Sequence, residues 1–155
     1  ITEHCTAPVF IDPVSTVKAE KLRGLLGRVH TLKPNRIEAE LLSGVKITDD
    51  ESLRQAAQAL LDQGVQRVFL SLGGDGVLAA QQDEMQRVPI CRAEMRNATG
   101  AGDAMMAALV WSFLSGRSLT ESAASGTAAA AIAVESEETI NPAMSAEAVE
   151  KRLAH

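Results

Sequence analysis

The chain has 155 residues, 46% hydrophobic and 23% charged, which suits one globular domain with a real core and no stretch apolar enough to span a bilayer. Fifteen basic residues against 20 acidic ones leave a formal charge of −5 without a basic cluster, and aromatics are only 3%, so neither a nucleic-acid surface nor a base-stacking platform is expected. Cys5 and Cys91 show neither metal spacing nor a secreted disulfide framework, and no signal peptide precedes the first strand, so a cytoplasmic location is expected.

Residues 8–12 read as a short buried strand ending in the turn Asp12-Pro13. Residues 16–29 place Val17, Leu22, Leu25, Leu26 and Val29 at helical spacing. A second strand over 29–33 is stopped by Pro34, and a short helix over 35–42 is closed by Gly44. Residues 49–63 form an amphipathic helix with acids at its start and Gly64 beyond its end. The nearly continuous apolar run 65–72 fits a strand of a parallel sheet covered on both faces. A turn over 73–76, strands over 77–81 and 86–90, and a loop over 91–99 come next. Small-residue helices over 101–114 and 120–134 and a terminal helix over 145–153, capped by Ser145, complete the chain. Strands alternating with helices define an α/β layered domain with a mostly parallel sheet. Ligands in such sheets bind beyond the carboxyl ends of the strands, so Asp12, Asn35, Gly73 and the Gly100 loop are expected on one rim.

The segment Asn97-Ala98-Thr99-Gly100-Ala101-Gly102-Asp103 carries the most chemistry. Small residues let backbone approach a ligand closely, and a helix starting there aims unpaired N–H groups and its positive dipole end at an anion. Asp103 adds a carboxylate beside that anion, a combination suited to phosphoryl transfer. The alternative is an ordinary tight helix entry with Asp103 as a favourably placed first-turn acid. Asn35 and Glu38 share a helix face, and alone they read most simply as a capping box. Ser71-Leu72-Gly73-Gly74-Asp75-Gly76 offers glycines at a strand end where backbone can approach a nucleotide; a plain hairpin turn is the alternative. Gly74–Ala79 also fits a G-x-G-x-x-A pattern, but that fingerprint needs a helix at the glycines and a strand follows here. Met105, Met106, Trp111 and Phe113 read as core, Lys18 and Lys21 as a solvated helix face, and His4, His30 and His155 lack partners at ligand spacing.

Thr99-Gly100-Ala101-Gly102-Asp103, followed by a small-residue, Met-rich helix, resembles the second signature of the ribokinase (PfkB) family of carbohydrate and nucleoside kinases. Lys33-Pro34-Asn35-Arg36-Ile37-Glu38-Ala39-Glu40-Leu41-Leu42-Ser43-Gly44 and residues 97–111 are most similar to its pseudouridine kinase branch. The resemblance runs from about Pro8 to the C-terminus and implies a three-layer α/β sandwich, incomplete at its N-terminus. The family's sugar-binding strands and β lid are not visible, so residues 1–155 are expected to be the C-terminal nucleotide-binding and catalytic part of a larger kinase, one that would dimerise, if at all, through that lid.

The resemblance further implies that Asp103 is the catalytic base and that Gly100, Ala101 and Gly102 supply N–H groups to the transferred phosphoryl. Asn35 and Glu38 would place Mg²⁺ and phosphate, largely through water. Ser71, Gly73, Gly74, Gly76 and Thr99 would line ATP, and residues 127–133 with Asn141 lie where the family packs adenine. Asn97 stands where many relatives carry Asp, which weakens the expected monovalent cation site. The implied reaction is ATP-dependent phosphorylation of a primary hydroxyl on a ribose-like sugar or nucleoside substrate, pseudouridine first. A ribose or fructose kinase, or a nucleotide-binding fragment without turnover of its own, are the alternatives.

Overall fold

The structure, a computed structural model, describes residues 4–154; His155 lies outside the described residues. The chain divides into two compact units, one running to Gly73 and including Val77–Arg87, the other comprising Gly74–Gly76 and the chain from Val88 onward. No helix among the described residues is long and apolar enough to cross a membrane.

The first unit is built on a five-stranded mixed sheet in the order β1 (Phe10–Ile11), β2 (Thr31–Leu32), β3 (Arg67–Ser71), β4 (Val77–Gln81) and β5 (Glu84–Val88). β1, β2 and β3 run parallel, and β4 returns antiparallel to β3 from Arg67↔Gln81 to Ser71↔Val77. β3 is apolar throughout its middle because Val68, Phe69 and Leu70 are all buried, side chains on both faces of the sheet being covered. β5 begins two residues earlier than its expected start at Gln86. Asp83 adopts φ 65, so Gln82-Asp83 turns the chain at once. Asp tolerates this left-handed conformation better than most residues.

Helices α1 (Thr16–Glu20), α2 (Arg36–Ser43) and α3 (Asp50–Asp62) belong to this unit. The helix expected over 16–29 breaks after Glu20 into three-residue hydrogen-bonded turns and a 3-10 turn at Leu26–Arg28. Gly24 and Gly27 explain the break, since each weakens helix by about 1 kcal/mol relative to Ala. Gly27 also meets Gly64, whose φ of 103 places an added Cβ 2.7 Å from the Gly27 Cα. α3 starts on a capping box, Asp49 accepting from the Ser52 N–H and Ser52 from the Asp49 N–H. Its buried stripe Leu53, Ala56, Ala57 and Leu60 joins Leu32, Val68 and Leu70 in the core.

The second unit is helical: α4 (Ala101–Leu114), α5 (Leu119–Val134) and α6 (Ala146–Leu153). α5 starts one residue before its expected position because Ser118 and Glu121 close a capping box, while Ser145 caps α6 as expected. Ala108, Ala128, Ala129, Ile132 and Val149 form its core, and small side chains keep α4 and α5 close. Gly126 would bring a Cβ within 3.0 Å of Met105 Cγ, so the bare α-carbon is what admits that side chain. Arg152 clamps α6 bidentately to Glu135, 3.0 and 2.5 Å, and donates to the Arg92 carbonyl at 3.0 Å. The same guanidinium holds the Glu135 carboxyl below its ordinary range.

Candidate active site

Within the first unit, the parallel strands deliver Asp12, Lys33 to Asn35, and Gly73 to the same carboxyl rim of the sheet. Lys33 Nζ lies 2.7 Å from Asp12 Oδ2 with side-chain exposures of 7% and 22%, so a nearly buried ammonium is neutralised at the rim. Sequence reading named both residues and missed their pairing; the signal was that each stands one residue past the end of an adjacent parallel strand. Asn35 then bridges to Ser71 on β3, and the Ser71 N–H donates to the Pro34 carbonyl at 2.9 Å.

Asn35 and Glu38 do form the capping box. Asn35 Oδ1 accepts from the Glu38 N–H at 2.9 Å, and Glu38 Oε2 accepts from the Asn35 N–H at 2.9 Å. Glu38 is 2% exposed, whereas Asn35 is open to solvent. α2 ends where expected, on Gly44 with φ 75. Gly73 to Asp75 form a 3-10 turn joining the antiparallel strands β3 and β4, so the backbone follows the hairpin alternative, and a strand rather than a helix succeeds the glycines. Gly73, at φ 59, and Gly74 have nothing within 4 Å of an added Cβ, leaving open space above the rim.

Within the second unit, Gly100 caps α4 in the left-handed region, φ 87 and ψ −9, and no side chain caps this helix end. The N–H groups of Ala101, Gly102 and Asp103, which have no carbonyl a turn before them, therefore remain available to a ligand. An added Cβ on Gly100 would stand 2.5 Å from the Thr139 carbonyl oxygen, so glycine is required on steric as well as conformational grounds. Asp103 is exposed in the first turn, where the helix dipole favours its charge.

Asn97 is the strut of this loop. Its N–H donates to the Val134 carbonyl at 3.1 Å and its Nδ2 to the Glu137 carbonyl at 3.1 Å, while its Oδ1 accepts from the Thr99 N–H at 2.9 Å. An aspartate there could not donate to Glu137, which gives a structural reason for the amide. Asn141 plays a similar part, with Nδ2 donating to the Ile132 carbonyl at 2.6 Å. Thr127 is buried and donates to the Ala124 carbonyl at 3.0 Å. Met105 is core, as expected, and Trp111 carries the Arg117 guanidinium 4.3 Å above its ring. Among the described residues no group of three or more His, Cys, Asp or Glu side chains is placed to hold a metal ion.

A profile of the pfkB family of carbohydrate kinases matches residues 1–146. Pseudouridine kinase of Escherichia coli is 41% identical over 140 residues, 89% of this chain and 44% of that protein. Ribokinase of Thermotoga maritima superposes with a TM-score of 0.84 at 28% identity, covering 99% of this chain and 51% of that one. Ribokinase of Arabidopsis thaliana, complexed with ribose and ATP, gives a TM-score of 0.78 at 28% identity over 86% of this chain and 43% of that one. The chain thus spans about half the length of these relatives.

Proposed function

Because the chain belongs to the pfkB family of carbohydrate kinases, we propose that it is the C-terminal, nucleotide-binding part of an ATP-dependent kinase that phosphorylates a primary hydroxyl of a ribose-like substrate. The observation that carries this reading is the uncapped helix start at Gly100 with the exposed Asp103 carboxylate two residues into the helix.

An alcohol is a weak acid, so Asp103 need only orient the hydroxyl and take its proton as the new O–P bond forms. As that bond forms, the bond from the γ-phosphorus to its bridging oxygen breaks and ADP departs. The amides of Gly100, Ala101 and Gly102 are assigned to the oxygens on which charge gathers, with the Asp103 N–H beside them at the helix start. Gly73, Gly74, Gly76, Ser71 and Thr99 are assigned to the nucleotide, the open space over Gly73 and Gly74 supporting close backbone approach.

Asn35 and Glu38 fit a magnesium ion only through its water shell, since the oxygens used in the cap are already engaged and Glu38 is buried. Magnesium, when bound with ATP, neutralises phosphate charge. Asn97 Oδ1 accepts the Thr99 N–H, so a monovalent cation would find that oxygen already shared.

For the acceptor we assign the 5′-hydroxyl of pseudouridine, supported by the 41% identity to pseudouridine kinase. Ribose is the second reading, supported by the likeness to ribokinases. Relative kcat/KM for pseudouridine, ribose and fructose in the full-length protein separates them. Asp103→Asn in that protein should abolish turnover and leave calorimetric ATP–Mg²⁺ binding intact; near-normal turnover overturns the role given to Asp103. Calorimetry and phosphotransfer on the 155-residue chain itself distinguish a working catalytic part from a nucleotide-binding fragment without turnover.

A further inference from the structure

A cavity of about 590 Å³ opens at the opposite end of the first unit's sheet, where β2 and β3 begin and β4 ends. It is separated from the carboxyl rim by the length of β3, about 13 Å. His30, Arg67 and Gln81 line it from the sheet, and Gln58 and Asp62 from α3. Register brings the sheet residues together: Arg67 is paired with Thr31 on β2 and Gln81 on β4, and its N–H donates to the His30 carbonyl at 2.7 Å.

The polar groups here are unequally engaged. Gln58 Nε2 donates to Asp62 Oδ1 at 2.8 Å, and Gln81 Nε2 to Glu84 Oε2 at 2.7 Å. The His30 ring is fixed by stacking on Phe10, centroids 5.3 Å apart, and by the Thr31 hydroxyl 2.8 Å from Nδ1. Arg67, half-buried in the wall, makes no ion pair among the described residues. Burial first, and then the nearby Arg67 charge, depress the pKa of His30.

We propose that this cavity is a second ligand site, taking a small molecule with an oxyanion, carboxylate or phosphate monoester, on the Arg67 guanidinium beside the His30 ring. A guanidinium presents a planar fork that matches either oxyanion bidentately. The volume lies within the range of small-molecule sites, and the amides of Gln58 and Gln66 supply polar wall beyond the anion. Asp62 is the one carboxylate among the described lining residues, and it accepts from Gln58. The assignment does not depend on the kinase reading, and an occupant here stands apart from the carboxyl rim.

The test is NMR of the 155-residue chain, reading the His30 ring and the Arg67 Nε–H during titration with inorganic phosphate and, separately, with citrate, each against sodium chloride at matched ionic strength. Saturable shifts at both groups are expected with at least one anion, the responding anion telling phosphate from carboxylate recognition. Arg67→Gln should weaken the response at least about tenfold. His30→Gln, read at the Arg67 Nε–H, should weaken it less, and serves in place of Arg67→Gln should that protein not fold. No saturable shift with either anion, or undiminished shifts in the Arg67→Gln protein, overturns the site; for the replacement, a response at Arg67 no different from that to chloride does so.

Discussion

Gly100→Ala probes the turn on which the proposed phosphate cradle depends. Gly100 holds φ 87, and a residue with a Cβ loses about 1–2 kcal/mol in that region. The added methyl carbon would also stand 2.5 Å from the Thr139 carbonyl oxygen, well inside the 3.4–4 Å of ordinary contact. Relief requires moving the chain around Thr139, which is tied down by the Asn97 bond to Glu137 and the Asn141 bond to Ile132. Strain and displacement together amount to about 2–4 kcal/mol, or about 5–15 °C in Tm for a chain of this size. The control is Gly73→Ala, at φ 59 with nothing within 4 Å, where strain acts alone and the loss should be about half as large. Urea unfolding followed by fluorescence of Trp111, the one tryptophan and a residue of α4, reads the affected helix directly. A Gly100→Ala protein no less stable than Gly73→Ala would refute the claim that Thr139 confines the turn.

Glu38→Gln keeps an oxygen for the Asn35 N–H, so urea stability should change by under about 1 kcal/mol while the magnesium needed for half-maximal phosphotransfer stays unchanged; a raised requirement would show that Glu38 is more than a cap. Asp12→Ala strands the nearly buried Lys33 ammonium and should cost about 2–4 kcal/mol in chemical denaturation, whereas Lys46→Ala, removing a partner exposed by 79%, should be nearly silent. Two pH windows should appear in stability curves. Glu135, held by Arg152 below its ordinary 4.5, stabilises the fold above that pH and loses its contribution as pH falls through the depressed value, so Arg152→Met should flatten this acid limb. His30, depressed from 6.5 by burial and then by Arg67, favours the fold in its neutral form, so stability should decline as pH drops from 6.5 towards the lower value, and His30→Gln should remove that slope.

The elements legible in the sequence were those with local causes. α2 was bounded by Asn35 and Gly44, α4 by the Gly100 turn, and β4 by the glycines before it, because caps and left-handed glycines act within a few residues. The helix expected over 16–29 failed for the complementary reason. Its apolar spacing was correct, and Leu22, Leu26 and Val29 are in or against the core, but Gly24 and Gly27 let the chain tighten into turns that fit beneath Gly64. Periodicity reports which residues are buried, and several backbone paths bury the same ones.

Residue type at the candidate site underdetermines role in the same way, and geometry divides the possibilities. Asn35 and Glu38 read as either cap or metal organiser, and the cap is now explicit. The magnesium role proposed for the pair falls on the exposed Asn35 rather than on Glu38, which is buried with one oxygen held by the Asn35 N–H. Asn97 makes the converse point. As a departure from the pattern of its relatives it read as the loss of a charge, yet each of its amide atoms is engaged, one outward to Glu137 and one inward to Thr99. The amide braces the turn carrying Gly100, a role visible only once Thr139 and Glu137, some forty residues on, are seen folded against that turn.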